Sequence, residues 1–351
     1  MSTELPTLAE LGWSNFFQSQ LTIAELAGCR PARVLAVHRN GLDIASSDGP
    51  GRVRPVVADD PEERPAVGDW LILDAASARP TRVLERKSVF KRKAAGVTQR
   101  IQLIAANVDT LLIVTSCNQD FNVARLERYL ALAREAGVMP VVVITRADLT
   151  DDADGYRTRA LAIMPGLLAE TVDAREPASA AILAAWCGKG QTVALVGSSG
   201  VGKSTLVNTL AADAAQVTAA IREDDAHGRH TTSSRSMHRL AAGGWLIDTP
   251  GMRELQLADA ADGVADVFAD IAELAGACRF ADCRHEAEPG CAVRAALDAG
   301  SLDPARLARY RKLTAEEARN SEAIHERRAR ERGFGKMVKA IVKGKADRGE
   351  A

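Results

Sequence analysis

Gly197, Ser198, Ser199, Gly200, Val201, Gly202, Lys203 and Ser204 carry the spacing G-x-x-x-x-G-K-S. A loop of this kind wraps phosphate: its glycines let backbone N–H groups turn inward, and the helix that follows adds its positive end. Lys203 then reaches the outer phosphates, and the Ser204 hydroxyl, with Thr205 behind it, stands where Mg²⁺ binds. The setting agrees, because the apolar stretch TVALV precedes the loop and STLVNTL continues it as a helix. Further on, Asp248 and Gly251 form D-x-x-G at the end of another apolar stretch. That carboxylate is expected on the Mg²⁺ side, and the Gly251 N–H toward the γ-phosphate.

Arg229, His230, Thr231 and Thr232 lie between these two motifs. A threonine here closes over Mg²⁺ and the γ-phosphate in the triphosphate state; Thr232 is the expected ligand and Thr231 the alternative. Met252 follows the D-x-x-G motif, where a glutamine often orients the attacking water. A thioether cannot do so, so turnover by the chain alone should be slow. His230 is the in-chain candidate for positioning water, against a reading in which it only packs or touches RNA. Lys203, Thr232 and His230 are thus the expected catalytic set. None is a nucleophile, which suits a reaction governed by positioning and charge neutralisation.

Thr145, Arg146, Ala147 and Asp148 close the apolar run V-V-V-I. A fixed carboxylate accepts both the N1–H and the 2-amino group of guanine and rejects a base that lacks them. GTPases use N-K-x-D for this purpose. Asp148 is in place, Thr145 stands for the asparagine, and Arg146 stands for the lysine with a stem able to lie over the purine. Asp173 and Ala174 are expected to support the base from its far side. The base motif precedes the phosphate loop in the chain, the reverse of the ordinary order. Rejoining β–α units leaves a site intact when the old termini are close, so the reading is a circularly permuted GTPase domain. An ATP-dependent P-loop enzyme is the rival, opposed by Asp148.

Cys278, Cys283, His285 and Cys291 offer three thiols and one imidazole at spacings C-x₄-C-x-H-x₅-C. Four N/S ligands with no open position predict a closed structural zinc site, since such a cluster has no disulfide role in a reducing compartment. Cys29, Cys117 and Cys187 are expected to be buried thiols.

The elements that must position these groups follow from patterning. Short strands are expected at 33–38, 42–46, 52–57, 70–74 and 82–85, separated by Gly and Asp turns, which suggests a small closed five-stranded barrel of the OB or SH3-like type. Strand–helix alternation then predicts a parallel sheet, with strands at 109–115, 139–145, 171–173, 191–196 and 245–248 and one beside the last at 237–240; helices are expected at 122–136, 178–187 and 203–212. The expected layout is a multidomain α/β chain: a leader (1–30), the barrel (31–96), the permuted GTPase domain (97–257), an α-helical zinc-binding domain (258–325) and a basic tail (326–351). With 351 residues, 46% hydrophobic and 26% charged, the chain is not disordered, collagen-like or a coiled coil. Net charge is −1, so any polyanion-binding surface must be local. The tail, rich in Lys and Arg from Arg327 to Arg348, and the run 86–93 are candidates for RNA backbone contact; solvated charge is the alternative reading for the tail. No stretch reaches the length of a membrane span, and no signal peptide is read.

With these motifs in place, the chain resembles the ribosome small subunit-dependent GTPase A family. V-G-D at 67–69, I-A-A-N-V-D at 104–109, R-H-T-T at 229–232 and the cysteine cluster add to the phosphate and D-T-P-G motifs. The resemblance implies GTP hydrolysis to GDP stimulated by the small ribosomal subunit during its late maturation, binding to ribosomal RNA, and the same four zinc ligands. It supports His230 as the water-positioning residue. A cytoplasmic monomer is expected, and the guanine pocket could also hold guanosine tetraphosphate.

Overall fold

A computed structural model describes residues 5–38, 40–54, 58, 60–93, 101–211, 235–248 and 260–321. The chain divides into two compact units, Met1–Leu255 and Gln256–Ala351.

The first unit begins with two short helices, α1 (Asn15–Gln18) and α2 (Ile23–Gly28), the second closed by a reciprocal Thr22–Glu25 capping box. The opening segment is no loose leader. Leu11 and Phe17 are buried, Trp13 packs edge-on against Trp70 at 4.8 Å, and the Trp245 indole N–H donates to the Glu10 carbonyl at 2.8 Å. The Glu10 carboxylate also takes a 2.8 Å bond from Lys189.

Five strands follow: β1 (Cys29–His38), β2 (Gly41–Ser46), β3 (Gly49–Val53), β4 (Trp70–Asp74) and β5 (Pro80–Val83). β1 pairs with both β2 and β4, β2 with β3 and β4 with β5, all antiparallel. Inward-facing Ala32, Val34, Leu42, Ile44, Leu71 and Leu73 fill the interior. No β3–β5 pair closes the barrel among the described residues.

Within the run 86–93, Arg86 turns inward while Lys87 stays exposed. Arg86 reaches into the protein and pairs with both oxygens of fully buried Asp69, at 2.8 and 2.9 Å. Burial pushes the Asp69 carboxyl up, and the guanidinium opposes that shift. Lys87 lies over the Phe17 ring. Val89–Lys93 forms β6, paired with β7 (Ile101–Ala106) in a separate two-stranded sheet. Asp69 ends the V-G-D turn, where Gly68 has φ +90° and a Cβ would fall 2.1 Å from the Ala106 carbonyl oxygen. Only glycine fits so close an approach.

A mostly parallel sheet comes next. Its parallel strands are β8 (Thr110–Ser116), β9 (Met139–Thr145), β10 (Leu168–Thr171), β11 (Thr192–Val196) and β13 (Trp245–Asp248), and β12 (Arg235–Arg239) pairs antiparallel with β13. The order is β10-β9-β8-β11-β13-β12, and β12 continues it onto β1 of the barrel. β8 is buried along its whole length and β9 beyond its first residue, as a strand covered on both faces requires. The helices are α3 (Val123–Glu135), α4 (Ala153–Leu161), α5 (Pro177–Ala180) and α6 (Lys203–Leu210). Two expectations shift. The strand expected at 171–173 ends at Thr171, leaving Asp173 in a loop, and the helix expected at 178–187 is α5 followed by a 3₁₀ segment.

The second unit is helical: α7 (Ala261–Val267), α8 (Ala269–Gly276), α9 (Ala292–Asp298) and α10 at 304–321. Among the described residues no helix is long and apolar enough to cross a membrane. The tail from Arg327 onward lies outside the described residues.

Candidate nucleotide and metal sites

β8, β9 and β11 run parallel, so their C-terminal ends lie along one edge of the sheet. That edge bears a cavity of 450 Å³ lined by Thr145, Arg146, Asp148, Leu149, Asp173, Ala174, Arg175, Ser199, Gly200, Gly202, Lys203, Ser204 and Thr205. Phosphate-loop and base-motif residues, separated in the chain, thus meet in one pocket of nucleotide size.

At one end, residues 197–202 link β11 to α6. Gly197 has φ +148°, and a Cβ there would lie 2.2 Å from the Val114 carbonyl oxygen. The Lys203 ammonium donates to the Gly197 carbonyl at 2.9 Å and also to that of Ser198. Val201 is buried in the core under the loop. Asp248 ends β13, which is parallel to β11, and so arrives at the same edge. Its Cα is paired across the sheet with that of Ser236. Thr231, Thr232, His230 and Gly251 lie outside the described residues.

At the other end, Thr145 is almost fully buried. Its hydroxyl contacts the Val201 carbonyl at 2.6 Å and the Thr115 carbonyl at 3.1 Å. The residue standing for asparagine therefore braces the phosphate loop. Arg146 adopts left-handed backbone (φ +59°), donates to the Gly200 carbonyl at 2.5 Å, and is among the residues lining the cavity. Asp148 sits in a single 3₁₀ turn with Ala147 and pairs with Arg175 at 2.6 Å. Ala174 is held by the Thr209 hydroxyl of α6, which donates to its carbonyl at 2.6 Å, and the Asp173 N–H bonds to the Ser179 hydroxyl.

Sequence reasoning did not find Arg125 or Arg175. Arg125 lies in the first turn of α3, fixed by the Asn122 side chain, and donates to the Ser198 hydroxyl at 2.7 Å. No pattern announces it. Arg175 directly follows the Asp173-Ala174 pair assigned to the base, and that adjacency was a usable signal.

The second unit gathers Cys278, Cys283, His285 and Cys291, with all four donor atoms within 4.8 Å of one another. Cys278 and Cys291 sulfurs are 3.9 Å apart, and His285 Nδ1 lies 3.6 and 3.5 Å from them. A tetrahedral ion with sulfur bonds of about 2.3 Å needs edges near 3.8 Å, so the donors present fit such an ion. Supporting bonds fix the loop. Arg311 of α10 donates to the His285 carbonyl, and the Glu288 carboxylate caps the N–H groups of Arg284, Glu286 and Ala287. Those backbone bonds hold the Glu288 carboxyl down to about 2.

Residues 83–258 match the model of the RsgA GTPase family. A protein of Mesorhizobium japonicum named small ribosomal subunit biogenesis GTPase RsgA is 54% identical over 319 residues, covering 90% of this chain and 91% of that one. The chain belongs to the RsgA GTPase family. A second relative, small ribosomal subunit biogenesis GTPase RsgA 2 of Vibrio parahaemolyticus, is 49% identical and covers 99% of this chain and 96% of its own. Among solved structures, YjeQ of Thermotoga maritima superposes with a TM-score of 0.60 at 22% identity, covering 82% of this chain and 98% of that one. YloQ, described as a circularly permuted GTPase, gives 0.57 at 21%, covering 82% and 94%. The fold of this family member matches both, one of them described as circularly permuted.

Proposed function

We propose that this chain hydrolyses GTP to GDP and phosphate, is stimulated by the small ribosomal subunit, and acts as a late factor in that subunit's maturation in the cytoplasm. The observation that carries the reading is the single cavity that joins Lys203, Ser204 and Thr205 to Asp148 across one sheet edge. The close relatives named for small-subunit biogenesis support the partner.

In this reading the N–H groups of residues 197–202 and the Lys203 ammonium bind the phosphates. Asp148 accepts the N1–H and 2-amino donors of guanine, and Thr145 and Arg146 keep the loop in register with the base. Ser204, Thr232 and Asp248 would hold Mg²⁺, which neutralises charge on the outer phosphates when bound. His230 orients the attacking water, a task Met252 cannot perform. A partner that orders this site therefore raises turnover. Cys278, Cys283, His285 and Cys291 hold a structural Zn²⁺, and the basic tail contacts ribosomal RNA backbone. The same guanine pocket would accept guanosine tetraphosphate.

GTP turnover with and without purified small subunits, with large subunits and ATP as controls, tests the proposal. Strong stimulation by small subunits alone, with GTP alone, is expected. No stimulation, or equal use of ATP, would overturn it. His230→Ala should keep GTP binding and lose most of the stimulation. Metal analysis of the purified chain should return one zinc per molecule, absent from Cys283→Ala.

A further inference from the structure

The base end of the cavity already holds a guanidinium. Arg175 Nη2 lies 2.6 Å from Asp148 Oδ2. Its other contacts go to Asp173, at 3.3 Å from Nε and 3.4 Å from Nη2, and its own backbone N–H donates to Asp173 at 2.9 Å. Arg175, Asp148 and Asp173 all line the cavity.

Guanine presents its N1–H and 2-amino group along an N–C–N fragment. Arginine presents the same fragment as a planar fork of N–H donors suited to a carboxylate. We infer that Arg175 is an internal stand-in for guanine: its Nη2 occupies the Asp148 oxygen that a guanine donor would take, and it is displaced when the base enters. The inference rests on the reading of Asp148 as the guanine-recognising carboxylate.

The local geometry makes the exchange easy. Arg175 gives up one contact to Asp148 while its backbone N–H bond to Asp173 remains. Its side chain is 68% exposed, against 26% for Asp148, so the guanidinium swings toward solvent while the carboxylate stays. Adenine cannot take Asp148 in its place, because it offers an acceptor at N1 and no 2-amino group. The ion pair thus lowers guanine affinity slightly and leaves Asp148 without a bare charge when no nucleotide is bound. An exposed pair of this kind is worth little, so the expected effect is about threefold.

The test is equilibrium binding of GDP and GTP to the full chain. Arg175→Ala and Arg175→Gln should each bind both nucleotides about threefold more tightly, by the same factor because the base end does not sense the γ-phosphate. The gain should disappear in an Asp148→Asn background, which a general loosening of the loop would not predict. Unchanged or weaker binding by both Arg175 variants overturns the inference, as does a gain that survives Asp148→Asn. If Asp148→Asn alone leaves GDP affinity intact, the reading of the base site fails, and the inference with it.

Discussion

The two ends of the nucleotide cavity are built by different means. The phosphate end is one contiguous stretch, 197–205, that works through backbone N–H groups, a helix end and a single lysine. Its shape is set by crowding, since Gly197 passes too close to the Val114 carbonyl for any side chain. The base end draws on three segments. Thr145 ends β9 and Arg146 to Asp148 follow it, Asp173 to Arg175 follow β10, and Thr209 reaches over from α6. It works through side chains, and most of them also hold something else. The difference teaches that backbone recognition is local and intolerant, whereas side-chain recognition is assembled at a distance and can exchange residue types.

Two variants should separate the ends by the largest margin. Lys203→Ala removes a charge that bears on any nucleoside triphosphate, so GTP and ATP should both weaken, on the order of a hundredfold. Asp148→Ala should cost a similar factor for GTP and leave the weaker affinity for ATP where it was. Fluorescence titration with both nucleotides decides. A loss of ATP affinity in Asp148→Ala equal to that for GTP would erase the distinction between the two ends.

That division also explains what the sequence made legible. A backbone cradle imposes glycine at fixed offsets, so residues 197–204 announce themselves, and metal geometry does the same for Cys278, Cys283, His285 and Cys291. Strands buried on both faces, such as β8 and β9, read as apolar runs with nearly correct ends. Contacts fixed only by tertiary approach were not legible. Arg86 belongs to a basic run read as a candidate for RNA contact, and only the fold reveals Asp69 buried beneath it. The opening residues read only as a leader, with no sign of the Trp70 and Trp245 that they meet. Thr145 read as a lost amide because the sequence does not show that its hydroxyl faces the Val201 carbonyl.

Thr145 is where the two ends touch, and it tests how separate they are. Its hydroxyl has one proton, and the 2.6 Å contact to the Val201 carbonyl is the stronger claimant of its two. Thr145→Val keeps the shape and removes the donor, leaving a buried acceptor of the phosphate loop unsatisfied. The expected cost is about 1–3 kcal/mol of stability, read from denaturant unfolding, together with several-fold weaker GDP binding. Thr145→Ser should recover most of both. Normal stability and affinity in Thr145→Val would mean that the phosphate loop needs no support from the base strand.

Arg125 gives the smallest expected effect and the finest test. The guanidinium is half-buried, and its hydrogen bonds among the described residues go to the Ser198 hydroxyl and the Asp120 carbonyl, neither of them a carboxylate. Among the described residues no carboxylate pairs with it, and it stands against the second residue of the phosphate loop. Two contributions are combined there. The hydrogen bond steadies the loop, and the positive charge favours a polyphosphate. Ser198→Ala removes the first and leaves the charge; Arg125→Ala removes both. A neutral hydrogen bond of this kind is worth about 0.5–1.5 kcal/mol, so Ser198→Ala should weaken GTP a few-fold, and Arg125→Ala somewhat more. Guanosine, which has no phosphate, should bind both variants as it binds the unaltered chain. An equal loss for guanosine and GTP would show Arg125 supporting the base end as well, and the contrast between the two ends would fail at its most sensitive point.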